Sequence, residues 1–234
     1  MLNWILRYEQ VIQLLNELGA TSVLDVGSGS SGLSWYWPHQ VVQTDLRFSQ
    51  INEASADRAG KVGLIRSTAE RLPFADAAFD IVVSLDMMEH LPESLRGDSI
   101  RELARVARRA FITGFPVGKS ADLVDRWLLT LLQWTPGCSV PEWLQEHRQQ
   151  KSYPDKTTLL GAIPSGWRIS HEVPSGNIFG QTAIVYAESI PHTAPLMRAA
   201  ERRVRLAGAP SFFHRGPTYR MIWVAVRESP EAVD

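Results

Sequence analysis

The sequence predicts an α/β protein: a doubly wound, mostly parallel sheet with an antiparallel edge strand and helical insertions in its C-terminal half. Three observations carry this. Short apolar runs at 23–26, 41–45, 62–65, 79–85 and 110–115 alternate with helical or polar segments. Those runs are apolar at consecutive positions, as in parallel strands that helices cover on both faces. The first run, Val23-Leu24-Asp25-Val26, stops in Gly27-Ser28-Gly29-Ser30-Ser31-Gly32, a loop whose backbone can turn sharply and lie against a ligand.

In order, residues 3–18 set Ile5, Tyr8, Ile12, Leu15 and Leu18 at helical spacing, with Gly19 placed to end the helix. After the glycine loop a short helix is expected at 31–37, stopped by Pro38. The polar segment 46–60 is expected to hold a brief helix. Residues 94–109 read as a helix with a basic tail, Arg105, Arg108 and Arg109, suited to the negative end of its dipole. Further on, 123–134 and 143–149 read as helices, 167–173 as a strand, 179–186 as ambiguous, 196–206 as a helix and 219–227 as a closing strand. The two late strands are expected to pair antiparallel at one edge of the sheet. This makes one domain over 1–234, with a cofactor-binding core at 20–116, a substrate cap at 117–218 and the closing strand.

Composition narrows the classes. With 44% hydrophobic and 21% charged residues among 234, the chain can bury a full core. A formal net charge of −1 gives no reason to expect a nucleic-acid partner. The run RAAERRVR at 198–205 reads as a solvated helix face. One cysteine, Cys138, allows neither an internal disulfide nor a cysteine metal site. The N-terminal helix is interrupted by Arg7, Glu9 and Glu17, so it does not read as a signal peptide, and no run is long enough to span a membrane. A cytoplasmic location is the default expectation.

The loop 27–32 is literally G-x-G-x-x-G, and Asp45 stands at the end of the second strand, where a carboxylate can accept both hydroxyls of a ribose. The spacing fits an NAD(P)-dependent oxidoreductase. Against that, Asp25 lies just before the first glycine, where it repels a diphosphate and suits a cationic ligand, and the following helix is too short to offer much dipole. A nucleoside cofactor with a positive centre fits better.

The stretch from Ser67 to Leu91, STAERLPFADAAFDIVVSLDMMEHL, resembles the signature of class I S-adenosylmethionine-dependent methyltransferases of the small-molecule type. With residues 23–32 as that family's first motif and Asp45 as its second, the resemblance covers about 20–116. It implies a Rossmann-like fold and S-adenosyl-L-methionine as cofactor. By position it implies that Asp25, Gly27, Ser28 and Gly29 surround the methionine portion, and that Asp45 holds the ribose with Leu46 near the adenine. Thr68 and Ala69 would edge the adenine ring, and Ser84 and Asp86 would lie beneath the sulfonium. Thr68 replaces the family's usual acid, and the family's third glycine falls at Ser31. His90 is the candidate general base for an alcohol or phenol acceptor.

No metal is expected, because neither the Glu89–His90 pair nor the Glu146–His147 pair has a third ligand at fixed spacing. The implied reaction is methyl transfer, chiefly to an oxygen of a small molecule or a glycan-type acceptor. Pro141-Glu142-Trp143-Leu144-Gln145-Glu146-His147 resembles a segment of methyltransferases of bacterial surface-glycan assembly. The helix at 123–134 offers a peripheral membrane contact. The non-enzyme alternative is a catalytically silent cofactor-binding partner subunit.

Overall fold

The computed structural model describes residues 2–29, 32–46, 62–149 and 153–228. The brief helix expected within 46–60 falls almost wholly outside them, as do Ser30 and Ser31.

Seven strands form one sheet in the order β3-β2-β1-β4-β5-β7-β6. Strands β1 (Val23–Val26), β2 (Val41–Asp45), β3 (Val62–Arg66), β4 (Phe79–Leu85) and β5 (Ala107–Pro116) run parallel to one another. Strand β7 (Thr218–Arg227) pairs antiparallel with β5 and with β6 (Trp167–Asn177). The expected edge pairing is therefore present. Where the order turns from β1 to β2 on one side and to β4 on the other, the strand ends leave a crevice. Open α/β sheets bind their ligands in such a crevice.

The central strands are apolar on both faces because each face has its own core. On one side Leu24, Val82 and Phe111 pack with Ile100, Leu103 and Ala104 of α2 (Glu93–Val106). On the other, Val23, Ile81, Val83 and Ile112 meet Tyr8, Val11 and Leu15 of α1 (Leu2–Glu17). Each fully buried side chain of this size contributes about 1.5–3 kcal/mol through its lost water contact.

Two sequence expectations are corrected and one open reading is settled. The short helix at 31–37 is a single 3₁₀ turn, Leu33–Trp35. The helix expected to run to residue 109 ends at Val106, and Arg108 and Arg109 belong to β5. There they serve no helix dipole. They bind Asp80 at the start of β4, with Arg109 Nε 2.5 Å from Oδ1, and Thr21 donates its backbone N–H to Oδ2 at 3.0 Å. The ambiguous stretch 179–186 lies in helix α6 (Ile178–Glu188), capped by the Asn177 side chain.

The C-terminal half adds α3 (Gly118–Trp134), α4 (Glu142–Gln149), α5 (Lys156–Gly161), α6 and α7 (Ala194–Ala207). Helix α3 is amphipathic in an instructive register. Ala121, Val124, Leu128 and Leu132 face inward, while Leu123, Trp127, Leu131 and Trp134 face solvent, Trp134 being 83% exposed. Helix α7 buries no residue fully, in line with a solvated basic face.

Candidate active site

A cleft of about 790 Å³ opens at the C-terminal ends of β1, β2 and β4. Its floor is built by backbone. Gly27 and Ser28 donate their N–H groups to the Thr44 carbonyl, at 2.8 and 3.1 Å, which ties the turn after β1 to the end of β2. Gly27 has φ +73°, and a Cβ there would sit 2.6 Å from Met87 Cγ, so only glycine lets the two walls approach this closely. Gly32 is under a harder constraint. At φ +55° its added Cβ would lie 1.5 Å from Gln43 Nε2 and 2.9 Å from Asp25 Oδ2.

The sequence-predicted residues divide into two groups. Gly27, Gly29, Asp45, Leu46, Ala69, Asp86 and His90 line the cleft. Asp45 accepts the Gly29 N–H at 2.8 Å and so holds the glycine turn at the rim. Asp25, Ser28, Thr68 and Ser84 are not among the lining residues. Asp25 is fully buried under the loop, where its Oδ2 accepts the Leu33 N–H at 2.6 Å and faces Gln43 Nε2 at 3.3 Å. Burial pushes its carboxyl up to about 6, against the hydrogen bonds from Leu33 and Gln43. Its position makes it the brace of the turn. Ser84 Oγ points to Met87 Sδ, and the Thr68 backbone forms an isolated antiparallel bridge with Arg71.

Asp86 stands one residue past β4 in a left-handed conformation (φ +48°), its N–H held by the Gly114 carbonyl. Both its oxygens are taken by the Arg220 guanidinium, which is itself buried in β7, and Arg7 Nε of α1 lies 2.8 Å away. Burial alone would raise the Asp86 pKa. The two guanidiniums outweigh it and hold the carboxyl below its usual range.

The cap closes the cleft with Trp143, Glu146 and His147 of α4, and α1 adds Asn3, Trp4 and Arg7. A buried polar network underlies this roof. Asp125 of α3 accepts from Tyr153 Oη at 2.5 Å and Tyr219 Oη at 3.0 Å, and its Oδ2 is 2.8 Å from His147 Nδ1. Burial, then the Asp125 charge, raises the pKa of both phenols, so they remain donors. His90 is held by α4 as well: its Nδ1 is 3.0 Å from Glu146 Oε2, and its Nε2 is 3.4 Å from His147 Nε2.

Against known proteins, residues 24–110 match the model of the methyltransferase domain family. A methyltransferase-named protein of Encephalitozoon cuniculi is 37% identical over 87 residues, 37% of this chain and 40% of that protein. The malonyl-[acyl-carrier protein] O-methyltransferase of Pseudescherichia vulneris is 29% identical over 114 residues, 47% of this chain and 44% of that enzyme. The alignments thus span less than half the length of either curated relative. In structure, the magnesium protoporphyrin IX methyltransferase of Synechocystis, solved with bound S-adenosylhomocysteine, superposes with a TM-score of 0.53 at 16% identity. That match covers 97% of this chain and 83% of the other.

Sequence reasoning missed Trp4, Arg7, Asp125, Tyr219 and Arg220 as parts of the site. For Arg220 a signal exists: it is the one charge inside the apolar run of β7 before Arg227. For His147 the signal was its partner Glu146 in a Trp-containing helix, but nothing in the spacing tied it to His90.

Proposed function

We infer that the protein is a methyltransferase that uses S-adenosyl-L-methionine, transferring the methyl group to an oxygen of a small molecule or glycan-type acceptor. The observation that carries this is the crevice itself: a glycine turn anchored to β2, with the Asp45 carboxylate at its rim and the anionic Asp86 at the end of β4. Asp45 suits the ribose hydroxyls, and Gly27 and Gly29 let the methionine portion lie against the backbone. Leu46 and Ala69 give the adenine an apolar edge. Asp25 braces the turn from below, and Ser84 fixes Met87 behind Gly27.

An NAD(P)-dependent oxidoreductase fits poorly. A diphosphate needs the amides and dipole of a helix N-terminus, and here the loop leads only to three residues of 3₁₀ helix. Carboxylates around the crevice also favour a cation such as a sulfonium. The cleft volume is in the range that holds a small-molecule ligand.

Methyl transfer from a sulfonium requires mainly that nucleophile, carbon and sulfur be aligned, which can lower a barrier by about 7–11 kcal/mol. The Trp4, Trp143 and Tyr219 side chains provide flat walls for such alignment of a sugar or aromatic acceptor. The candidate base, His90, has its two ring nitrogens directed at Glu146 and His147. The outward stripe Leu123, Trp127, Leu131 and Trp134 of α3 supports a peripheral membrane contact near a lipid-linked acceptor.

The test is a melting comparison with S-adenosylhomocysteine, S-adenosylmethionine, NADH and NADPH. A ligand at 100 times its Kd stabilises the native state by about 2.7 kcal/mol, or roughly 5–11 °C for a chain of this size. Stabilisation by the adenosyl-sulfur ligands alone is expected. Stabilisation by the nicotinamides alone would overturn the reading.

A further inference from the structure

We propose that Glu89, His90 and His147 form a binding site for one divalent transition-metal ion at the inner wall of the cleft. The fold brings together what the spacing separates. Glu89 and His90 lie in the 3₁₀ turn after β4, and His147 arrives 57 residues later on α4. One ligand atom from each of the three lies within 4.8 Å of the others.

The orientation of the two imidazoles is the first argument. His147 Nδ1 faces Asp125 and His90 Nδ1 faces Glu146, so in both rings Nδ1 carries the hydrogen. When both rings are neutral, that leaves two Nε2 lone pairs directed at each other across 3.4 Å. A cation between them resolves the repulsion. Two metal–nitrogen bonds of about 2.0–2.1 Å at a tetrahedral angle put their nitrogens about 3.3–3.4 Å apart. Carboxylates on Nδ1 are also the usual way a protein fixes a ligating imidazole.

Glu89 is the second and independent argument. Its side chain is 2% exposed, and among the described residues neither carboxylate oxygen has a hydrogen-bond partner. One of them lies 3.9 Å from His147 Nε2, within reach of an ion held between the two rings. A carboxylate buried without partners costs several kcal/mol, and a bound cation supplies what the surrounding side chains do not.

Two imidazoles and one carboxylate suit zinc, manganese, iron or cobalt rather than magnesium or calcium, and they leave coordination positions open. Glu89, His90 and His147 all line the cleft, so an open position is available to an acceptor oxygen. This last role rests on the methyltransferase reading. Binding of the ion does not.

The experiment titrates Zn²⁺, Mn²⁺ and Mg²⁺ into the chelator-treated full chain by calorimetry, and Co²⁺ with its visible absorption recorded. One Zn²⁺ per chain is expected, with Co²⁺ giving ligand-field bands and Mg²⁺ binding at least tenfold more weakly. Glu89→Gln, which keeps the shape of the side chain, should weaken Zn²⁺ at least tenfold, as should His147→Ala. Asp125→Asn should weaken it about 10–100-fold by releasing the His147 ring. The exposed His192→Gln serves as the control and should leave binding unchanged. Melting curves confirm that each variant is folded, and Glu89→Gln decides the matter if His147→Ala is not. Absence of Zn²⁺ binding to the native chain at about millimolar ion, binding indifferent to Glu89→Gln, or preference for Mg²⁺ would each overturn the site. Stabilisation of the chelated protein by S-adenosylhomocysteine, measured in parallel, reports on the methyltransferase reading separately.

Discussion

Arg220 joins the last strand of the chain to the active-site end of β4, and its replacement by methionine tests how far the site depends on that link. The side chain is 2% exposed and grips both oxygens of Asp86. Arg220→Met keeps most of the volume and removes the charge, leaving Asp86 buried with Arg7 as its remaining cation. Breaking one partner from a buried ion pair costs about 3–5 kcal/mol, and the retained Arg7 puts the expected loss near the lower end. For a chain of this length about 3 kcal/mol lowers Tm by roughly 6–12 °C. The double variant Arg220→Met/Asp86→Asn removes the stranded charge as well, so it should be more stable than the single one. The effect of pH has a definite sign. Asp86 has a lowered pKa in the native fold, so it stabilises above the usual carboxylate range and that contribution is lost as pH falls through the lowered value. In Arg220→Met the carboxyl protonates earlier, which relieves the stranded charge, so the gap between native and variant Tm should narrow on going from neutral pH to mild acid. Calorimetric melts of the three proteins across that range are the assay. A Tm loss under about 2 °C for the single variant, or additive losses in the double one, would refute the reasoning.

Four further outcomes are expected. Asp45→Ala should weaken S-adenosylhomocysteine more than tenfold by calorimetry while leaving the far-ultraviolet dichroism unchanged; unaltered affinity would remove the ribose assignment. Gly32→Ala forces a positive φ on alanine and drives its Cβ into Gln43, so it should cost about 2–3 kcal/mol and lower Tm by roughly 4–12 °C. Asp80→Asn removes the carboxylate that binds Arg109 and Thr21, whose hydrogen bonds hold it well below the usual range. A loss of about 2–3 kcal/mol in a denaturant melt at neutral pH is expected, shrinking in acid where the native carboxylate also protonates. Trp127→Glu/Leu131→Glu, on the outward face of α3, should abolish co-sedimentation with anionic vesicles, whereas Thr130→Ala should not.

How much of this was legible in the sequence follows from which contacts are local. The parallel core could be read because strands buried on both faces must be apolar at consecutive positions, and Phe79–Leu85 appears in the structure with the same bounds. Gly27, Gly29 and Asp45 could be read because a turn that meets a ligand with its backbone needs particular residues at particular steps. The 94–109 helix was misjudged at its end for a physical reason: arginines satisfy a helix terminus and a buried carboxylate equally well, and only the register of β4 against β5 shows that Asp80 is the partner. The α3 stripe was readable as apolar but not by face. Leu128, in the middle of that apolar run, is 1% exposed, because α3 rests against α6 and β7 with that side inward. The roof of the cleft was the least legible part. Its contacts, His90 to His147, Asp125 to Tyr219 and Asp86 to Arg220, join residues 57, 94 and 134 positions apart. No period or spacing rule relates side chains at such distances. What the sequence does carry is the oddity of each one alone: a charge within a strand, a carboxylate in an apolar helix face, two Glu–His steps in segments that otherwise read as packing. Each is costly unless it has a partner, so together they imply a buried polar network before its geometry is known. Glu89 is the member whose carboxylate has no hydrogen-bond partner among the described residues, and it is there that a ligand from outside the chain should be sought.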